Sequence, residues 1–145
     1  MLKGVPPLIG PELLGSLARM GHGDVLLVVD ENYPAYAAGV PVHRLDGVGV
    51  ERALEAVLTL LPLDTFLDTP VFRMHPVGER NVVTPVQDRV HRLIERIEGR
   101  DIEVAPVERT DFYARAQRSF AILATGEHEP YGCFGLTKGV VQGHD

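Results

Sequence analysis

The sequence predicts one α/β domain in which helices cover a largely parallel sheet. Short apolar runs alternate with amphipathic stretches of helical period along the chain, the signature of strands buried on both faces between packed helices. The 145 residues are 45% hydrophobic and 23% charged, enough apolar material for a core without disulfide or metal staples. No internal repeat, low-complexity tract or linker interrupts the pattern, so a single domain over 1–145 is expected.

The elements follow in order. Pro11 to Met20 reads as a short helix, with proline at its start, Gly21 at its stop and Leu13, Leu14, Leu17 and Ala18 on one stripe. Val25 to Val29 is an unbroken apolar run closed by Asp30, a doubly buried strand. Val42 to Leu45 reads as a second strand ended by Asp46-Gly47. A helix then carries Val50, Ala53, Leu54, Val57, Leu58 and Leu61 at spacings of three and four, with Pro62 as its terminator. Val71 to Met74 reads as a third strand. A second clear helix has Val86, Val90, Leu93, Ile94 and Ile97 on one face and Gly99 after it. Ile102 to Val107 is expected to be a strand that Pro106 confines to an edge or shortens. Asp111 to Arg118 reads as a helix, Phe120 to Thr125 as a buried strand, Gly126 to Pro130 as a turn, and Tyr131 to Thr137 as a last strand weakened by Gly132 and Gly135.

Charge and composition exclude several classes. A formal net charge of -6 without a basic block argues against nucleic acid and anionic membranes as partners. The apolar runs fall far short of the roughly 20 residues needed to span a bilayer, and Met1-Leu2-Lys3-Gly4 does not begin a secretory signal. The lone cysteine, Cys133, leaves neither an intrachain disulfide nor a cysteine-based zinc site, so a reducing, cytoplasmic setting is expected. The histidines form no H-E-x-x-H pair, and there is no G-x-S-x-G elbow or phosphate-binding glycine loop. Chemistry, if present, must run on His, Asp, Arg and Tyr.

One constellation suits such chemistry. His22 stands between Gly21 and Gly23, just before the first strand, where glycines permit positive φ and leave an imidazole unscreened. Asp30 closes that strand at its carboxyl end, where open α/β sheets bind ligands. Arg109, at the approach to the helix with Phe112 and Tyr113, offers a planar donor fork for ligand hydroxyls. Tyr131 opens the last strand with Cys133 expected on the same face. On spacing alone these are equally a solvated loop histidine, a strand-end cap, a surface arginine and a packed tyrosine.

Taken together, the segments Leu2-Lys-Gly4, Pro11-Glu-Leu-Leu14, Ala18-Arg-Met-Gly-His-Gly-Asp24, Asp30-x-Asn32-x-Pro34-Ala35, Arg44-x-Asp46-Gly47, Leu60-Leu-Pro-Leu-Asp64, Glu108-Arg109, Phe112-Tyr-x-Arg-Ala-Gln117, Phe120-Ala121, Ala124-Thr-Gly-Glu127, Tyr131-Gly132 and Lys138-Gly-Val140 resemble the ribose pyranase/fucose mutarotase family, on its fucose mutarotase branch. The resemblance covers almost the whole chain in order. It implies a ribose pyranase-like fold, no metal or organic cofactor, a free monosaccharide as ligand, and a ring-shaped homo-oligomer, a decamer in family members, with sugar pockets near subunit contacts. By matching position it gives His22 the catalytic histidine role and makes Asp30, Arg109 and Tyr131 ligand-binding positions. Gly132 and Cys133 are expected to join them in binding the sugar, Tyr131 is expected to assist proton transfer, and Asp30 is expected to orient either His22 or a sugar hydroxyl. The expected activity is interconversion of anomers of L-fucose or a related 6-deoxyhexose by ring opening and closure. The alternatives are a D-ribose pyranase and a non-catalytic sugar-binding or regulatory protein. One departure stands out: the family has Tyr-Gly-Asn where this chain has Tyr131-Gly132-Cys133, and a thiol is a weak substitute for an amide toward hydroxyls.

Overall fold

A computed structural model describes residues 1–142. They build one six-stranded mixed sheet flanked by helices on both faces, and the last three residues of the expected domain lie outside the described residues. The elements run α1 (Pro11–Arg19), β1 (Val25–Val29), a 3₁₀ turn (Ala35–Ala38), β2 (Val42–Leu45), α2 (Val50–Leu60), β3 (Val71–Met74), α3 (Pro85–Glu98), β4 (Val104–Val107), α4 (Arg109–Gln117), β5 (Ala121–Thr125) and β6 (Phe134–Thr137). The strand order is β2-β5-β1-β6-β3-β4. All pairings are parallel except those of β6, which runs antiparallel to both β1 and β3. The largely parallel α/β architecture expected from the sequence is therefore present.

The two faces are covered unequally. On one, α1, α2 and α3 bury Leu13, Leu17, Leu54, Val57, Val90 and Ile94 against the sheet. On the other, α4 and the 3₁₀ turn supply Phe112, Ala116 and Ala35 against Leu27, Val29, Phe72 and Ile122. β1 lies between them with Leu26 to Val29 fully buried, each such side chain worth about 1.5–3 kcal/mol of removal from water. Local chemistry fixes the helix ends. Thr84 and Gln87 form a reciprocal capping box at α3, with Pro85 in the first turn and Gly99 left-handed at the stop. Glu108 caps α4 by accepting from the amides of Thr110 and Asp111.

Three details differ from the sequence expectation. Pro106 sits on the edge strand β4, as its missing N–H requires, but pairing begins only at Val104. The fourth helix begins at Arg109 rather than Asp111, because Glu108 supplies the cap. The last strand begins at Phe134, not Tyr131: Tyr131 takes φ 63°, so Tyr131 and Cys133 do not share a strand face.

Sheet closure depends on a side chain that is absent. Gly135 on β6 lies under the ring of Phe72 on β3, and a Cβ there would come within 2.1 Å of the ring. Gly135→Ala is expected to lower stability by about 1–3 kcal/mol through overpacking, read as a shifted midpoint in urea unfolding. An unchanged midpoint would show that the ring is free to move aside.

Candidate functional site

The two ends of β1 carry different chemistry. At the amino end, Gly23 adopts φ 90° and the loop it forms is zipped to the end of β6: its N–H donates to the carbonyl of Lys138 at 2.9 Å, and Lys138 N–H donates to that of Asp24 at 2.8 Å. The same stretch of chain binds the segment after α2. Asp64 N–H donates to Thr137 O at 2.9 Å and Gly139 N–H to Pro62 O at 2.7 Å. The approach is so close that a Cβ on Gly139 would meet Asp64 Cα at 2.7 Å.

That strip seats the Asp64 carboxylate on His22, with Nε2 to Oδ1 at 2.9 Å. Asp64 is 2% exposed and the imidazole 44%. Burial works to raise the Asp64 pKa, but the amide of Leu67, donating to Oδ2 at 2.9 Å, and the ring of His22 outweigh it and hold the carboxyl below its ordinary value. An ionised carboxylate only accepts, so His22 carries its proton on Nε2 and a neutral ring presents the Nδ1 lone pair. Nδ1 has no hydrogen-bond partner among the described residues. Phe66 lies against the imidazole with centroids 5.0 Å apart. Phe66 and Leu67 expose 67% and 51% of their surface beside it, an apolar rim suited to a partner surface.

At the carboxyl end the turn after β5 delivers the chain to the antiparallel β6, and Tyr131-Gly132-Cys133 therefore arrive beside Asp30. Cys133 Sγ donates to Asp30 Oδ2 at 3.4 Å, and Asn32 N–H donates to Oδ1 at 3.1 Å. Asp30 is 8% exposed. Burial raises its pKa, opposed by hydrogen bonds from the Cys133 thiol and the amides of Asn32, Gly132 and Tyr33. Burial and the neighbouring carboxylate keep Cys133 a thiol. The Cys133 side chain thus binds Asp30 directly. Gly132 is closely packed: a Cβ there would stand 3.0 Å from Glu127 Cγ, so the glutamate side chain would have to give way. The Tyr131 hydroxyl accepts from Val77 N–H at 3.4 Å. Arg109 is exposed in the first turn of α4, where the helix dipole disfavours a cation, so helix stability does not account for it. A cavity of about 540 Å³ opens at this end, lined by Asp30, Tyr33, Tyr36, Arg44, Asp46 and Thr125 among others. Its volume suits a small ligand.

The structure joins Asp30, Tyr131, Gly132 and Cys133 at one sheet end and places Arg109 on that end, at the mouth of β4. It does not bring His22 to them. Five extended residues at about 3.3 Å each put roughly 16 Å between the two ends of β1. Asp30 therefore does not orient His22 within one chain; Asp64 does, because β6 pins its segment beside the histidine loop. Asp64 was legible only inside the Leu60–Asp64 motif, with no local sign of its role. Tyr33 and Tyr113 likewise carry no local sign of a place near the site, yet their rings pack 5.6 Å apart near Asp30. Glu127 of the Ala124–Glu127 motif is structural: it accepts from Val50 N–H at the start of α2 and from Glu129 N–H.

The two carboxylates make opposite pH contributions. The lowered Asp64 stabilises the fold above the ordinary carboxylate range and loses that contribution as pH falls through its depressed value. The raised Asp30 contributes at low pH and loses it as pH rises. Asp64→Asn is expected to cost about 2 kcal/mol at pH 7, with the gap to wild type closing as urea unfolding is repeated at falling pH below 4. A gap independent of pH would contradict the charge pairing.

Residues 3–141 match the RbsD / FucU transport protein family. Human fucose mutarotase is 46% identical over 97% of this chain and 94% of its own length. The crystal structure of the fucose mutarotase in complex with L-fucose from Streptococcus pneumoniae superposes with a TM-score of 0.88 at 36% identity, covering 97% of this chain and all of that one. The structure of Bacillus subtilis RbsD complexed with D-ribose shares the fold, with a TM-score of 0.72 at 19% identity over 92% of this chain and 95% of that one. With the whole sheet and both polar ends of β1 falling inside the matched span, this chain belongs to the RbsD/FucU family.

Proposed function

We propose that this protein is a monosaccharide mutarotase that interconverts the anomers of L-fucose or a related 6-deoxyhexose, with residues 1–145 belonging to a single mutarotase domain. The observation that carries the reading is the His22–Asp64 pair, a solvent-reachable imidazole whose tautomer is set by a buried carboxylate. Anomer exchange needs one proton taken from the anomeric hydroxyl and one given to the ring oxygen, after which the aldehyde turns and closes on its other face. Both transfers reverse on closure. A group that serves as acid and base near neutral pH suits this chemistry, and histidine ordinarily titrates near 6.5. His22 and Tyr131 share the two transfers. Asp64 holds the imidazole and offsets the charge it gains, as carboxylates do for catalytic histidines elsewhere.

Asp30, with Gly132 and Cys133, receives the sugar hydroxyls, and Arg109 anchors the sugar. Because His22 and Asp30 lie at opposite ends of β1, the working site joins the His22 end of one copy to the Asp30 end of another, in a ring-shaped homo-oligomer of the decameric kind. The exposed Phe66 and Leu67 beside His22 support that assembly. No metal or organic cofactor takes part in the proposed steps. A reducing, cytoplasmic setting fits a chain whose single cysteine is buried and unpaired. L-Fucose is preferred over D-ribose because the relative at 46% identity bears the fucose name, whereas the ribose-bound structure shares only the fold.

In saturation-transfer NMR, the wild type is expected to speed anomeric exchange of L-fucose more than that of D-ribose. His22→Ala should lose about 10²–10⁴-fold of the catalysed rate, the usual worth of general acid–base help, while still binding sugar. A folded, sugar-binding His22→Ala protein exchanging at the wild-type rate would overturn the proposal.

A further inference from the structure

Tyr131 is the one non-glycine residue with positive φ, at 63°, among the described residues. L-residues with bulky side chains rarely hold that conformation unless their surroundings impose it. Beneath the turn lies Gln87, which is 1% exposed. Its Nε2 donates to the carbonyl oxygens of Tyr131 at 3.0 Å and Met74 at 2.7 Å. The capping box at α3 explains only the other half of this side chain: Oε1 accepts from Thr84 N–H at 3.2 Å. A helix start has no use for the amide nitrogen, and both of its hydrogens are spent on the main chain around the site.

Behind Gln87 stands Arg73 on β3, 6% exposed and without an ion-pair partner among the described residues. Its guanidinium donates to Gln87 Oε1 at 3.1 Å, to Val82 O at 2.9 Å and to Arg80 O at 3.1 Å. A cation on the amide oxygen polarises the amide and strengthens its N–H donors. The same cation ties down the loop between β3 and α3, whose Val77 amide meets the Tyr131 hydroxyl. The tyrosine is thus held at its main chain and at its ring tip by groups that one buried arginine organises.

We propose that Gln87, backed by Arg73, is a positioning residue that locks the left-handed main chain of Tyr131 and so aims its hydroxyl for proton transfer. This rests on the reading of Tyr131 as a proton-transfer residue. Gln87→Leu removes the clamp. Gln87→Glu keeps the size and the oxygen facing Arg73 but cannot donate to Tyr131 O when ionised, which guards against a leucine variant that fails to fold.

The test is a double-mutant cycle on L-fucose anomeric exchange at saturating sugar, in the wild-type and Tyr131→Phe backgrounds, with sugar affinity measured in parallel. Each Gln87 variant is expected to lower the exchange rate about 10-fold in the wild type with little change in affinity, and to cost nothing further once the hydroxyl is gone. An equal loss in both backgrounds, or a wild-type rate in the Gln87 variants, would overturn the positioning role alone. A wild-type rate in Tyr131→Phe by itself would overturn the role of Tyr131 and this inference with it.

Discussion

β1 is the constraint from which the rest follows. Its Leu26 to Val29 are fully buried between two helical layers, so no polar group can be placed along it without losing the core. Polar chemistry is displaced to its two ends, where the chain leaves the sheet. β6, the one strand that runs against β1, touches both. Its entry sets Tyr131, Gly132 and Cys133 beside Asp30, and its exit threads Lys138 and Gly139 between the His22 loop and the segment carrying Asp64. One antiparallel strand in a parallel sheet therefore builds two polar clusters at opposite ends of β1.

The carboxylates of the two clusters are shifted in opposite senses. Asp64 receives an amide and an imidazole N–H that overcome its burial, and it stays ionised. Asp30 receives several weaker donors, and its burial prevails. Two carboxylates with environments that push them apart can take different tasks. One fixes the tautomer of a histidine. The other offers a partly desolvated oxygen pair to which a neutral polyol can bind without displacing a strongly held counter-ion. The Cys133 thiol shares Asp30 with the Asn32 amide, and a thiol is a weak donor that a hydroxyl can displace.

Much of this was readable in the chain. The apolar run closed by Asp30, the glycines around His22, the three-and-four spacing in α2 and α3, and the edge position of Pro106 all follow from local rules, and the structure contains each. The missed features share a different cause. Asp64 meets His22 across 42 positions, and Cys133 meets Asp30 across 103; both contacts are made by sheet topology, which no window of sequence contains. The strand expected from Tyr131 starts at Phe134 instead, because Tyr131 sits in a turn with φ 63° that no local rule for tyrosine foretells. Gln87 reads locally as a helix-capping residue, and its contacts with the Met74 and Tyr131 carbonyls exist only once β3 and the turn before β6 lie above it.

An assembly that joins the amino end of one β1 to the carboxyl end of another can be tested by mixing. His22→Ala and Tyr131→Phe proteins, each impaired alone, are dissociated, combined in equal amounts and reassembled, and L-fucose anomeric exchange is measured. Random pairing gives roughly a quarter of the interfaces an intact histidine end facing an intact tyrosine end, and exchange should recover to about that fraction of the wild-type rate. Mixed assemblies that form and remain as slow as their parents would place both residues' action within a single chain, or nowhere, and contradict a site shared between copies.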